Sequence, residues 1–285
     1  MGGRGGRVLL LGAGGMLGHD LVATAPPEVT LVPLSRAQLD ITQGDAVAAT
    51  LGDVHPDVVI NAAAYTAVDR AESERDIAMR VNGAAVGELG RHAHRVGAQV
   101  IQFSSDYVFD GTATQPYSET SAANPVNAYG ASKLAGERAL AASGATYLLI
   151  RTQWLFGAHG KSFPRTMWER ARGGHATRVV RDQTGRPTYT RDLAAAVWTL
   201  IGRNVCGVMH VANQGEATWL DVAARVFARA GRADLLTPCV TADYPTPARR
   251  PRYSVLDTAR AERALGGPLP KWEDAIDRFL DSSAF

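Results

Sequence analysis

Short aliphatic runs alternate with alanine-rich helical stretches through the first half of the chain, and this alternation constrains the fold more than any other feature. Runs such as Val8-Leu9-Leu10-Leu11 and Val58-Val59-Ile60 are apolar throughout, as strands covered on both faces require; strands with one wet face alternate polar with apolar. The spacing predicts strands over 7–11, 29–33, 57–61, 99–104, 146–151 and 208–212, with helices over 17–25, 43–51, 76–96 and 129–142. Repeated strand-helix-strand units build a parallel sheet sandwiched between helices. The expected fold is α/β, a Rossmann-type doubly wound parallel sheet with a smaller C-terminal lobe.

At 285 residues the chain exceeds the common single-domain size, which suits one large core with an appended lobe. Past Arg151 the alternation loosens into stretches rich in Gly, Pro and Arg over 157–162, 182–190 and 244–254. We therefore divide the chain into a dinucleotide-binding part, 1–151, and a mainly substrate-binding part, 152–285, with a segment near 176–213 returning to the sheet. The formal net charge of +2 provides no general field for a polyanion, which argues against nucleic acid as a partner. No apolar run approaches the ~20 residues of a membrane span. Two cysteines, Cys206 and Cys239, form neither a metal-ligand pattern nor a disulfide framework, and together with the lack of a signal peptide fit reduced thiols in a cytoplasmic protein. The start, Met1 to Gly6, reads as a flexible leader.

Three motifs carry chemistry. Gly12-Ala13-Gly14-Gly15-Met16-Leu17-Gly18 sits between an expected strand and an expected helix, where a dinucleotide pyrophosphate meets helix amides. Gly12 would allow the turn, Gly15 the approach of the phosphates and Gly18 close helix packing, with Met16 and Leu17 beside the cofactor. The second strand ends in Pro33-Leu34-Ser35-Arg36, without the acid that many NAD-binding proteins place on the ribose 2′-hydroxyl. Arg36 would instead pair with a 2′-phosphate, so NADPH is favoured and NADH stays open. Asp40-Ile41 would flank the adenine, or Asp40 would cap the helix beginning near Gln43. Ala62-Ala63-Ala64-Tyr65 after the third strand lets a ligand lie against backbone, and Asn82 would order the neighbouring helix or a relay water, or be a local satisfied amide.

Tyr129-Gly130-Ala131-Ser132-Lys133 places a phenol and an ammonium at positions i and i+4, on one helix face. A fixed cation there would lower a phenol of ordinary pKa about 10 toward neutrality. Ser104-Ser105-Asp106-Tyr107, just past the fourth strand, adds a hydroxyl that polarises a substrate oxygen while Tyr129 transfers the proton. Together with a dinucleotide these groups read as hydride transfer at an oxygen-bearing carbon. Trp154, past the fifth strand, would stack on a sugar or base or belong to the core; Arg249 and Arg250, on a Pro-stiffened loop, would hold a diphosphate or be surface charge.

These stretches together resemble the extended short-chain dehydrogenase/reductases, and specifically the dTDP-4-dehydrorhamnose reductase family. The likeness runs over nearly the whole chain, most specifically through residues 61–69 with 71–73 and through 244–251. It implies Ser105, Tyr129 and Lys133 as the catalytic set, Tyr129 and Lys133 also touching the cofactor, and nucleotide-sugar contacts from Asp106, Tyr107 and Trp154; Ser105, Arg249 and Arg250 join the substrate-binding set on the reading of the residues themselves. The implied reaction is NAD(P)H-dependent reduction of the C4 ketone of dTDP-4-dehydrorhamnose to dTDP-L-rhamnose. Ser105 stands where the family has Thr, and Gln153 where it has a small residue, which leaves room for a related sugar such as that of dTDP-dihydrostreptose. Some relatives form a Mg²⁺-bridged homodimer; Asp20 and Asp192 match two of the acidic positions and Ser282 the third, which argues against a bridging metal. A nucleotide-sugar epimerase or 4,6-dehydratase is a second enzymatic reading, disfavoured for elimination because Tyr107, not an acid, follows Asp106. A non-catalytic NADP-binding subunit resembling the β-subunit of some methionine adenosyltransferases is the reading from another class, disfavoured by the intact Ser105, Tyr129 and Lys133.

Overall fold

The computed structural model describes residues 6–282, so the leader over 1–5 lies outside the described residues. Six parallel strands form the central sheet: β1 (Arg7–Leu11), β2 (Thr30–Leu34), β3 (Val58–Asn61), β4 (Gln99–Ser105), β5 (Tyr147–Thr152) and β6 (Gly207–His210). Their spatial order is β6-β5-β4-β3-β1-β2, so the winding reverses at β1. Ligands of doubly wound sheets bind at the carboxyl ends of the strands beside such a reversal. Pro33 is tolerated because β2 is an edge strand.

Side chains of β1 divide between two cores, as the strand period demands. Val8 and Leu10 join one core with Leu21, Leu193 and Val197, contributed by helices α1 (Met16–Ala23) and α7 (Thr190–Gly202). Leu9 and Leu11 join the other with Val47, Leu89 and Leu140 from α2 (Gly44–Val54), α4 (Ala85–Val96) and α5 (Ala128–Ala141). The single helix expected over 76–96 is interrupted: α3 (Arg75–Met79) passes through a π-helical turn, Arg80–Ala84, before α4.

A third core belongs to the lobe, where Phe156, Phe227 and Phe279 are fully buried among α6 (Phe163–Arg172), α8 (Trp219–Arg229) and α10 (Trp272–Asp281). Thr177–Val180 pairs with Leu236–Cys239 inside this lobe, and α9 (Ala259–Leu265) sends Ala261 back to the sheet core. No helix among the described residues is long and apolar enough to cross a membrane.

Candidate functional site

The glycine turn is shaped by two requirements. Gly12 has φ +82°, a left-handed backbone, and a Cβ there would lie 2.6 Å from the Ala63 nitrogen. A Cβ on Gly18 would lie 2.3 Å from the Gly12 carbonyl oxygen, so α1 can reach the turn only with glycine there. Gly15 is the N-cap of α1 and makes no side-chain cap, and the first turn of that helix carries no acid. Its amides therefore suit a phosphate. This cradle of bare backbone fits a dinucleotide.

A cavity of about 690 Å³ runs from the turn along the strand ends. Gly12, Gly15, Arg36, Asp40, Ile41, Ala62, Ala63, Ala64 and Tyr65 all line it, together with Arg70 and Arg80, which the sequence did not single out. The side chain of Arg36 is 84% exposed and pairs with Asp40 at 3.2 Å. Asp40 accepts from the backbone and hydroxyl of Thr42 at 2.9 and 2.8 Å, which holds its carboxyl below the usual range. It thus closes the turn before α2 rather than capping the helix itself.

The second cavity, about 600 Å³, adjoins the first through Gly15, Ala62 and Ala64. It brings Met16, Leu17, Ser105, Asp106, Tyr107, Tyr129, Lys133 and Trp154 onto one surface. Local packing explains the meeting. Asn127 caps α5, its Oδ1 accepting from the Gly130 N–H at 2.7 Å, and a Cβ on Gly130 would stand 2.0 Å from the Tyr107 carbonyl oxygen. The glycine after Tyr129 therefore lets α5 press against the turn that carries Ser105. Asn82, inside the π turn, accepts from Tyr65 N–H at 2.9 Å and donates to the Tyr65 carbonyl and to Ser132 Oγ at the same distance. It fastens the third-strand loop to the helix bearing Tyr129.

Ser105 Oγ donates to Asp106 Oδ1 at 2.9 Å and also lies in hydrogen-bonding reach of the Tyr129 phenol. The phenol departs from the sequence expectation. Burial pushes it above its ordinary 10, with the neighbouring Asp106 adding to the rise, Ser105 opposing it, and Lys133 absent from the groups acting on it. Spacing put the amine on the same face but could not tell how dry that face is. Burial likewise pulls Lys133 down to about 8, against the pull of Glu137.

Asp106 is fully buried, its carboxyl pushed up from 3.8 to about 7 by loss of hydration despite help from Ser254 and Ser105. Between about pH 4 and 7 the folded chain holds a proton that the unfolded chain has released, so stability falls as pH rises through that window. Asp106→Asn is expected to flatten this slope and to raise stability at pH 8 by about 1–3 kcal/mol. Urea unfolding at pH 5 and pH 8 checks it, and an unchanged slope in the variant would refute the buried charge.

Arg249 and Arg250 stand apart from the cavity of Ser105, Tyr129 and Lys133, lining a groove of about 900 Å³ between residues 110–114 and 241–253. Arg249 is exposed; Arg250 is tied to Asp69 at 2.8 Å and reaches the Tyr107 phenol. Trp154, with φ +49°, stacks on Trp219 at 3.6 Å and 7°. Trp219, Phe163 and Lys161 are cavity residues that sequence reasoning missed, because nothing in the local pattern around α6 or α8 ties them to the strand ends. Asp20 accepts from Thr190 at 2.5 Å, and Asp192 pairs with Arg278 at 2.8 Å and accepts from Asn213 at 2.7 Å.

Comparison with known proteins places this geometry. Residues 6–285 match the family model described as the RmlD substrate binding domain. The chain is 42% identical to dTDP-4-dehydrorhamnose reductase of Burkholderia thailandensis, over 95% of this chain and 96% of that one. It is equally 42% identical to a Streptomyces antibioticus protein named probable dTDP-4,6-dihydroxy-2-methyloxan-3-one 4-ketoreductase, over 95% and 93%. Among solved structures, the dTDP-4-dehydrorhamnose reductase of Bacillus anthracis in complex with NADP superposes with a TM-score of 0.93 at 35% identity, over 96% of this chain and 98% of that one. The chain belongs to the dTDP-4-dehydrorhamnose reductase family.

Proposed function

We propose that this chain reduces the C4 ketone of a dTDP-4-keto-6-deoxy sugar with NADPH, converting dTDP-4-dehydrorhamnose to dTDP-L-rhamnose. The observation that carries the reading is the shared surface of Ser105, Tyr129 and Lys133 beside Gly15 and Met16 at the start of α1. The bound dinucleotide supplies a hydride to C4. Tyr129 gives its proton to the ketone oxygen as the carbon–oxygen double bond becomes a single bond, so the product is the alcohol. Ser105, whose one hydroxyl hydrogen rests on Asp106 in the free chain, turns it to the same oxygen and polarises it before the transfer. Lys133, buried in the wall of the same cavity, would hold the ribose of the dinucleotide by charge-assisted hydrogen bonds. Asp106, Tyr107 and Trp154 bound the sugar, and Arg249 with Arg250 receives the diphosphate across the Tyr107 ring. Arg36, exposed at the mouth of the coenzyme cavity, favours the 2′-phosphate of NADPH.

Purified protein is expected to oxidise NADPH only when given the 4-keto sugar, and to do so faster than it oxidises NADH. Absorbance at the nicotinamide band, with NMR of the sugar product, checks both points. Coenzyme oxidation indifferent to the sugar would refute the assignment.

A further inference from the structure

The catalytic cavity carries more polar atoms than its chemistry uses. Ser104 Oγ, Thr152 Oγ1 and both amide atoms of Gln153 are buried with no hydrogen-bond partner among the described residues. All three residues line that one cavity. Buried orphans are rare in folded proteins, and each asks for an explanation. Gln153 is the sharpest case, because it is 2% exposed and neither its donor nor its acceptor is met.

Its place in the fold says what it would meet. Parallel pairing of β4 with β5 sets Thr152 level with Ser105, so Gln153 stands one residue beyond the hydroxyl that polarises the ketone. The next residue, Trp154, turns the chain with its left-handed backbone, and its stacking on Trp219 fixes the wall behind the sugar. A carboxamide offers an acceptor oxygen and a donor nitrogen side by side, which matches two neighbouring hydroxyls, one donating and one accepting.

We propose that Gln153 reads the adjacent C2 and C3 hydroxyls of the sugar and so selects a 4-keto-6-deoxy sugar that keeps both over its 2-deoxy counterpart. This rests on the ketone-reductase reading given above. The selection matters because the Streptomyces relative's name describes a ring with a hydroxyl beside the ketone and a bare carbon next to it. A site that hydrogen-bonds a hydroxyl discriminates strongly against the analogue lacking it, since its own polar groups stay unpaired.

The test compares kcat/KM for the dTDP-4-keto-6-deoxy sugar and its 2-deoxy analogue, with NADPH, in the unmodified protein, in Gln153→Met and in Gln153→Ser. Methionine keeps the length of the side chain and removes the amide; serine covers the case in which the methionine variant does not fold. The unmodified protein should prefer the diol by about tenfold or more, and the variants should lose that preference through a fall in the diol value alone. A preference unchanged in both variants, or absent from the unmodified protein, overturns the proposal. Failure of the unmodified protein to reduce either sugar while it still binds NADPH overturns the reductase reading, and this proposal with it.

Discussion

Tyr129→Phe is expected to lower the rate of sugar reduction by about 10²- to 10⁴-fold, the contribution of a positioned proton donor, while NADPH binding survives. The phenol ring stays as a wall of the cavity; only the hydroxyl within reach of Ser105 is lost. The upward push on the phenol keeps its proton in place but makes it a weaker acid, so its contribution comes from positioning. A group held above its ordinary pKa keeps its proton across the neutral range, which is the state a donor to a ketone needs. Reduction should therefore show no loss from phenol ionisation between about pH 6 and 8. Single-turnover rates measured with saturating NADPH, alongside coenzyme titration by fluorescence, separate loss of chemistry from loss of binding. A variant that turns over within a few fold of the unmodified protein would remove Tyr129 from the mechanism.

Glu137→Leu is expected to cost about 3–5 kcal/mol of folding stability. Glu137 and Arg151 form a two-pronged pair at 2.9 and 2.7 Å, with side chains only 9% and 7% exposed. Arg151 further approaches His210 at 3.4 Å and stands 5.2 Å over the Phe109 ring. His210 offers no compensation, since burial and the guanidinium push it down to about 3 and leave it neutral. Removing the acid strips the buried guanidinium of its ion-pair partner and leaves it the Glu119 carbonyl oxygen at 3.4 Å and the Phe109 ring. Replacing both members, Glu137→Leu with Arg151→Met, should recover most of the loss, because no charge is then stranded. Urea unfolding of the single and double variants decides it, and a single-variant loss below about 1 kcal/mol would show that water reaches the pair. The same acid supports the charge of Lys133, so its loss should move any alkaline fall in activity to lower pH.

The sheet was legible because its strands are covered on both faces. Short continuous apolar runs closed by glycine or small residues, as in β1 and β3, favour buried strands over helix, and Gly12 follows the first of them where the backbone turns left-handed. Within the site, Tyr129 and Lys133 stood out by their spacing on one helix face and the Ser104-Ser105 pair by its strand end, while the choice of Ser105 came from the family resemblance; Ser105, Tyr129 and Lys133 line one cavity. Contacts set by the lobe were not legible. Trp219 meets Trp154 from 65 residues away, through packing of α8 that no local pattern encodes. The phenol was misjudged for a related reason: spacing fixes which side chains share a face, whereas ionisation depends on how much water the rest of the fold admits.

The π-helical turn at Arg80–Ala84 has a consequence for how one rod serves two surfaces. An extra residue in a turn rotates everything downstream by roughly 100° about the axis. Val81, early in the turn, lines the cavity of the glycine turn and also packs on the same sheet core as Val86, Leu89 and Ala93 beyond it, so the extra residue keeps that apolar stripe in phase while Ile77 and Arg80 stay on the cavity wall. Excising a single residue there would restore ideal winding and misdirect half the rod, so the irregularity works as a gear between binding and folding.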